Sequence, residues 1–427
     1  MPWCFCPTWA RMAWELSMLA RFRRSESGNL SVMTALTSVV LLSAAGAALD
    51  VVSLRNKADT LQNALDSSAL AIATKYYSGM TQDQLQQIGQ DVFASNAQFN
   101  ESSEVPFEYT DAFDNFGAEV NKVEGYDYVT VTSQIAHDGL FLGNIDWSAK
   151  RKAVVKIMPG PPACVLALDK HASEAIKIQG STQIDLAGCV IAANSDSASS
   201  VSRGGAAQLS AACVITVGGT SGVNSSSSVD LDCGDAREDQ YASIDPLVDL
   251  VPPPYAGCAS MPGGKTKTLS PGTYCNKTIS GEVTLEPGTY ILRGGRINLG
   301  GNGSLVGEGV TIFLMEDAEF AINGNELVNL TPPSTGDYAG VTIYQEKSND
   351  TSVVINGTAD SVVTGFVYAP GAHVFYAGNS ETETEGRCLR LVGDTIEMTG
   401  NSSIRSDCGG ELGDLAIYAG RYMAIVR

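Results

Sequence analysis

Eight cysteines carry the clearest chemistry in this sequence: Cys164, Cys189, Cys213, Cys233, Cys258, Cys275, Cys388 and Cys408. None sits in a C-x-x-C pair, and no histidine lies beside them at zinc spacing, so a thiolate metal site is not expected. An even set at wide spacing suits disulfides formed in an oxidising compartment. Pairing of neighbours (164 with 189, 213 with 233, 258 with 275, 388 with 408) is the working expectation, although spacing alone does not fix connectivity. Each such loop would contribute about 3 kcal/mol by restricting the unfolded chain. Two more cysteines, Cys4 and Cys6, precede a long apolar run.

The other reactive groups form no catalytic constellation. His137, His171 and His373 sit in dissimilar contexts without an adjacent nucleophile, and read as structural or solvated. Asp185, Asp360 and Asp394 are scattered, whereas glycoside hydrolysis needs paired carboxylates. The Gly-His-Gly and Arg-Ile-Lys patterns of pectin-degrading β-helices are absent; Arg296-Ile-Asn298 stops one residue short. Glu381, Glu383 and Glu385 alternate with threonines and read as a solvated loop. Ala259-Ser-Met-Pro-Gly-Gly-Lys-Thr266 fits a permissive phosphate-loop pattern, but it follows a Pro-rich linker rather than a strand and is read as a chance match. Gly218-Gly-Thr-Ser-Gly222 lacks the spacing of a nucleophile elbow. The expectation is a non-enzymatic protein with no cofactor. The alternative is a polysaccharide-active enzyme or a carbohydrate-binding adhesin.

The elements that hold these residues follow from composition and periodicity. The chain has 427 residues, a net charge of −20, 17% charged residues and 44 glycines. Such acidity excludes nucleic acid as a partner, since counterion release needs a basic patch. Low charge with many Gly suits a mainly β, turn-rich fold. Arg11, Arg21, Arg23 and Arg24 precede an uncharged stretch from Asn29 to Leu49. As a helix it is roughly 30 Å long, one hydrocarbon core. A retained anchor is preferred over a cleaved signal, because the helical pattern continues past Asp50. The basic flank keeps the N-terminal end (1–28) in the cytoplasm and exports the rest. Ser43, Ala44, Ala47 and Ala48 form small-xxx-small pairs that suit close helix packing or a homo-oligomer; the plainer reading is a helix rich in Ala.

In the helical extension 50–79, Leu54, Ala58, Leu61, Leu65, Ser68 and Ile72 form a stripe, either a coiled-coil seam or a face docked on its own domain. Gly79 is the expected C-cap. Residues 80–157 read as a small α/β unit: a helix over Thr81–Phe99 and strands over Glu104–Tyr109, Tyr126–Ile135 and Ala153–Ile157. Met158-Pro-Gly-Pro-Pro162 marks its end.

An irregular repeat follows, of the form aliphatic, x, Gly, small polar, then aliphatic. The copies are Ile178–Ile184, Leu299–Leu305, Ile322–Leu327, Ile355–Val362 and Met398–Ile404. A strand that turns at Gly-Asn, runs again and stacks on the previous coil buries an apolar face that one coil cannot bury alone. A parallel β-helix or β-solenoid is the best fit, with an antiparallel sandwich second. Pro252–Pro254 divides a first block, 158–250, from a main one, 251–427.

The N-terminal residues resemble a known family. Gly28-Asn-Leu-Ser-Val-Met-Thr-Ala-Leu36, Gly46-Ala-Ala-Leu-Asp50 and Leu61-Gln-Asn-Ala-Leu-Asp66-Ser-Ser-Ala-Leu-Ala71 are similar to the first module of TadE/TadG-like proteins of Flp (Tad) pilus assembly. Gly28, Gly46, Asp50, Leu61, Gln62 and Asp66 carry that likeness, over about fifty residues. Later stretches, Tyr128–Thr132, Cys164–Asp169 and Leu285–Tyr290, follow a looser family pattern. The resemblance implies an accessory role in pilus assembly or secretion. It places the chain in the bacterial inner membrane with a periplasmic body and pilus assembly or secretion proteins as partners. Pilin-like relatives cleaved by prepilin peptidase carry Glu five residues after the cleavage Gly; here Met33 stands there, which favours a permanent anchor. Many relatives carry a metal-binding von Willebrand-type domain. Its D-x-S-x-S motif is missed at Asp196–Ser200, where Ala198 intervenes, and at Asp66–Leu70.

Overall fold

The computed structural model describes residues 28–78, 80–97, 116–123, 126–137, 141, 147–255, 257–356, 361–377, 388–400, 403–407 and 417–426. The protein is mainly β, with 45% of residues in strands, parallel sheets and one long apolar helix. The chain divides into a unit of residues 1–156 with 424–427 and a unit of residues 157–423.

In the first unit one unbroken helix, α1, runs Gly28–Lys75 and ends in a 3-10 turn at Tyr76–Ser78. Gly79 lies outside the described residues. The second helix, α2, spans Gln82–Ala97. Thr81 and Gln84 cap it reciprocally, the Thr81 N–H donating to Gln84 Oε1 at 2.9 Å and the Gln84 N–H to Thr81 Oγ1 at 3.4 Å. A sheet ordered Gly117–Val123, Tyr126–His137, Trp147–Pro159, Arg421–Ile425 completes the unit. The first two strands are antiparallel, Gly117 opposite Thr132. The strand at 117–123 was not expected from sequence; the expected strand at Glu104–Tyr109 lies outside the described residues. The stripe of α1 docks on its own domain: Ala58, Leu61, Leu65, Ser68 and Ile72 are all buried.

The second unit consists of three parallel ladders. The first joins Gly272–Ile279, Gly288–Ile297, Val310–Met315, Val341–Gln345, Gly365–Tyr376, Leu389–Met398, Ala163–Ala167, Gln183–Ala193 and Gln208–Thr216 in that order. The second stacks Glu319–Ile322 and Val353–Ile355 with the later halves of the long strands, then Ile176–Ile178, Val201–Arg203 and Thr220–Ser221. The third holds Thr266–Leu269, Glu282–Leu285, Ser304–Gly307, Leu327–Leu330 and Val362–Val363. Further along, Ser403–Asp407 pairs with Gln183–Ala193 and Val229–Leu231 with Gln208–Thr216. Because Gly288–Ile297 and Gly365–Tyr376 pair in two ladders each, six strands also close into a hydrogen-bonded parallel ring.

The order is not that of the sequence. Strand Leu389–Met398, near the C-terminus, pairs with Ala163–Ala167 and Ile176–Ile178, where the unit begins. Residues 163–231 therefore extend one half of the stack and 266–407 the other, and the seam between them is continuous in register. Three repeat copies, Leu299–Leu305, Ile322–Leu327 and Ile355–Val362, lead from the second ladder to the third, whereas Ile178–Ile184 and Met398–Ile404 lead from the second ladder to the paired strands Gln183–Ala193 and Ser403–Asp407. In these last two copies close backbone approach requires glycine. Gly180 and Gly400 have φ of +79° and +84°, and a Cβ at Gly180 would lie 3.0 Å from the Gly400 nitrogen.

Burial separates the ladders. On the third, Glu282–Leu285 and Ser304–Gly307 alternate between core and rim. On the first, Ala163–Ala167, Val310–Met315 and Val341–Gln345 are buried at every position, so both faces are covered. One face packs inside, through Val165, Ile191, Val214, Leu314 and Leu391. The other, with Leu166, Val190, Ile215, Phe313, Phe366 and Val392, packs against Leu247 and Leu250 of the segment connecting the two halves.

Candidate functional site

Two features stand out among the described residues: the apolar half of α1 and the connecting segment of the β unit. In α1 the candidate span is rich in bare apolar surface, with Val32, Met33, Leu36, Val39, Val40, Leu41, Leu42, Leu49, Val51 and Val52 between 46% and 70% exposed. Its mean hydropathy and length suffice to cross a membrane. Of the small residues, Ser43, Ala44 and Ala48 are exposed and Ala47 half-buried; the Ser43 hydroxyl donates back to Val39 O at 2.8 Å. No second helix is packed on them among the described residues.

Of the six motif residues named above, Gly46, Asp50, Leu61, Gln62 and Asp66 lie where α1 meets the rest of its unit. Asp50 is buried, and its Oδ2 accepts the Phe141 N–H at 2.9 Å. At Gly46 a Cβ would lie 2.6 Å from the Phe141 ring, so glycine lets that segment approach the helix. Leu61 is fully buried. Gln62 Nε2 donates to Asp66 Oδ1 at 2.8 Å and to Lys152 O at 3.2 Å. Gly28 opens the helix. Phe141 and Lys152 were missed by sequence reasoning, as nothing local ties them to positions ninety residues away.

Three of the expected disulfides are present: Cys164–Cys189, Cys213–Cys233 and Cys258–Cys275, with Cα separations of 5.7, 5.4 and 5.6 Å. Cys388 is disulfide-bonded as well; Cys408, Cys4 and Cys6 lie outside the described residues. Two of these bonds mark the ends of a strap, residues 233–258, that leaves one end of the stack and rejoins at the other. Along its length Asn194 brackets Ser243, Nδ2 donating to Ser243 O at 3.0 Å and Oδ1 accepting its N–H at 2.7 Å. The Tyr338 hydroxyl donates to Val251 O at 3.2 Å, and Arg293 lies 4.4 Å from the centre of the Tyr255 ring.

Beneath the strap the Tyr368 hydroxyl donates to Asp245 Oδ2 at 2.9 Å, and Asp245 Oδ1 accepts the Leu247 N–H at 3.2 Å. Burial raises the Asp245 carboxyl above its ordinary range despite these bonds and nearby Lys347; Asp249 adds to the rise. A carboxyl raised in the folded state binds more protons than in the unfolded one. Its contribution to stability is full below the ordinary value of about 4 and is lost as pH rises through the raised value. The thermal midpoint of the protein is therefore expected to fall more than that of Asp245→Asn as pH rises above about 4. Parallel profiles would show that Asp245 does not titrate in that range.

His171 Nδ1 lies 3.0 Å from Asp196 Oδ2, with both side chains well exposed. His373, lowered by burial, bonds Thr395 Oγ1 at 2.8 Å. The His137 side chain, Asp360, Glu381, Glu383 and Glu385 lie outside what is described. Residues 259–266 lead into strand Thr266–Leu269, so no helix N-terminus stands there for phosphate. Among the described residues no cluster of His, Cys, Asp or Glu fits a metal ion. A shallow polar cleft of about 240 Å³ is lined by Gln183, Asp185, Gln208, Ser210, Ser228 and Asp230. Parallel register aligns its rows, Gln183 with Gln208 and Asp185 with Ser210 and Asp230.

Comparison with protein-family models, curated proteins and solved structures finds no match.

Proposed function

We propose that this protein is a non-enzymatic scaffold of the bacterial envelope, anchored by α1 in the inner membrane with its body in the periplasm. On this reading it serves Flp (Tad) pilus assembly or secretion, as the TadE/TadG-like residues imply, and its β unit is a parallel β-solenoid. One observation carries the proposal. Gly46, Asp50, Leu61, Gln62 and Asp66 seat α1 on its own unit while the apolar residues 32–52 remain bare. That combination suits an element that spans lipid at one end and orients a rigid module at the other. The disulfides support an oxidising compartment for the body.

The test is fractionation of native membranes with mild crosslinking. Full-length protein in the inner membrane, crosslinked to pilus or secretion components, is expected. A shortened form starting near Asn29 in sheared surface fibres would instead make it a pilin-like subunit.

The polar cleft favours a second reading, a carbohydrate-binding module, because aligned amides, hydroxyls and carboxylates match sugar hydroxyls. Glycan-array binding that disappears in Gln208→Ala would support it; an empty array would remove it.

A further inference from the structure

Among its described residues the β unit exposes large apolar side chains on the strap and the segment beside it. Its described exposed large hydrophobics are Tyr241, Ile244, Val248, Val251, Tyr255, Tyr418 and Tyr422. The first five lie on the strap and the last two on the segment beside it, where the Gly420 N–H donates to Ser243 Oγ at 2.9 Å and Arg421 lies 5.9 Å from the Tyr241 ring. No other described residue of the unit is a large hydrophobic left this exposed. The strap is two-sided: Leu247 and Leu250 pack inward on the first ladder, while Val248 and Val251 point out, 60% and 77% exposed. Covering the ladder needs only the inner set, so the outer set is surplus to folding. Seven exposed large apolar side chains gathered on the strap and the segment beside it mark a candidate interaction surface.

Charge narrows the occupant. The strap, residues 233–258, contains Asp235, Glu238, Asp239, Asp245 and Asp249 against one basic residue, Arg237. Glu238, Asp239 and Asp249 are exposed beside the stripe. Arg293, over Tyr255, is already bonded to Glu316 Oε1. A second copy of a chain with net charge −20 would be repelled. An anionic lipid surface would be repelled too. We infer that the outer face of the strap docks a different protein that presents an apolar ridge flanked by Lys and Arg. The inference deepens the scaffold reading and rests on it, by naming the face through which a partner is engaged.

The test installs the photo-crosslinker p-benzoylphenylalanine in the full chain in native membranes, at Val248, Val251, Thr284 or Leu41. Thr284 is exposed on the third ladder and Leu41 lies in the span. One adduct from positions 248 and 251, absent from 284, is expected. Its crosslinked peptide should be apolar with flanking Lys or Arg. Its yield should fall roughly tenfold in Asp239→Asn/Asp249→Lys, with the circular dichroism of the folded protein retained; Asn is tolerated at the positive φ of position 239. An adduct with the chain itself or with lipid would overturn the inference. So would an acidic peptide, equal labelling from 284 or indifference to this change of charge. Adducts from Leu41 with none from 248 and 251 would reject the strap and leave the scaffold standing. None from any position would reject both.

Discussion

Val39→Arg/Val40→Arg is expected to move the protein from the membrane pellet to the alkaline-carbonate supernatant. Both side chains lie mid-span and are more than 60% exposed, so the change disturbs no packing within the unit. At the centre of a span each arginine costs about 3 kcal/mol in insertion, several times what an aliphatic residue contributes. Two of them outweigh most of the apolar gain of a single helix. The docked half of α1, from Ala58 to Ile72, should keep its fold, because its burial is supplied by α2 and the sheet. Unchanged circular dichroism with altered fractionation is therefore the expected pair of results. A double variant that stays in the pellet would show that something other than α1 holds the protein there.

Cys213→Ser/Cys258→Ser is expected to be the most destabilising change in the β unit that leaves its inner core intact. The two bonds close loops of 20 and 17 residues and pin the strap at each end. Each loop contributes about 3 kcal/mol through the unfolded state, so losing both should lower the midpoint by roughly 10–20 °C. The double variant should also bind a dye that reports exposed apolar surface, because the strap covers Phe313, Phe366, Val392 and Ile215. Cys164→Ser serves as the comparison: Cys164 and Cys189 lie on neighbouring strands of the stack, away from the strap's ends. A double variant no worse than Cys164→Ser, with no dye binding, would mean that side-chain contacts alone hold the strap.

Much of this was legible in the residues. The uncharged run from Asn29 to Leu49 declared a helix long enough for a bilayer, because length and polarity are local properties. The three neighbouring cysteine pairs followed the expected order because parallel pairing sets Ala163–Ala167 beside Gln183–Ala193, and backbone bonds set Cys233 beside Ala212 and Ala259 beside Thr273. The Gly-centred repeat marked turns between strands, and at Gly180 and Gly400 the positive φ and the close backbone approach favour glycine.

Other features depended on contacts far apart in sequence. The stripe from Leu54 to Ile72 fits a coiled coil as well as a docked face; only the sheet and α2 decided that it is docked. Runs such as Val310–Met315, buried throughout, revealed strands but not what covers their second face. That cover is the strap, and the Pro-rich stretch 252–254 that reads as a break lies within it. The pairing of Leu389–Met398 with Ala163–Ala167 joins residues more than two hundred positions apart. Parallel pairing carries no local signal of which coil comes next, so the order of the stack belongs to the tertiary structure alone.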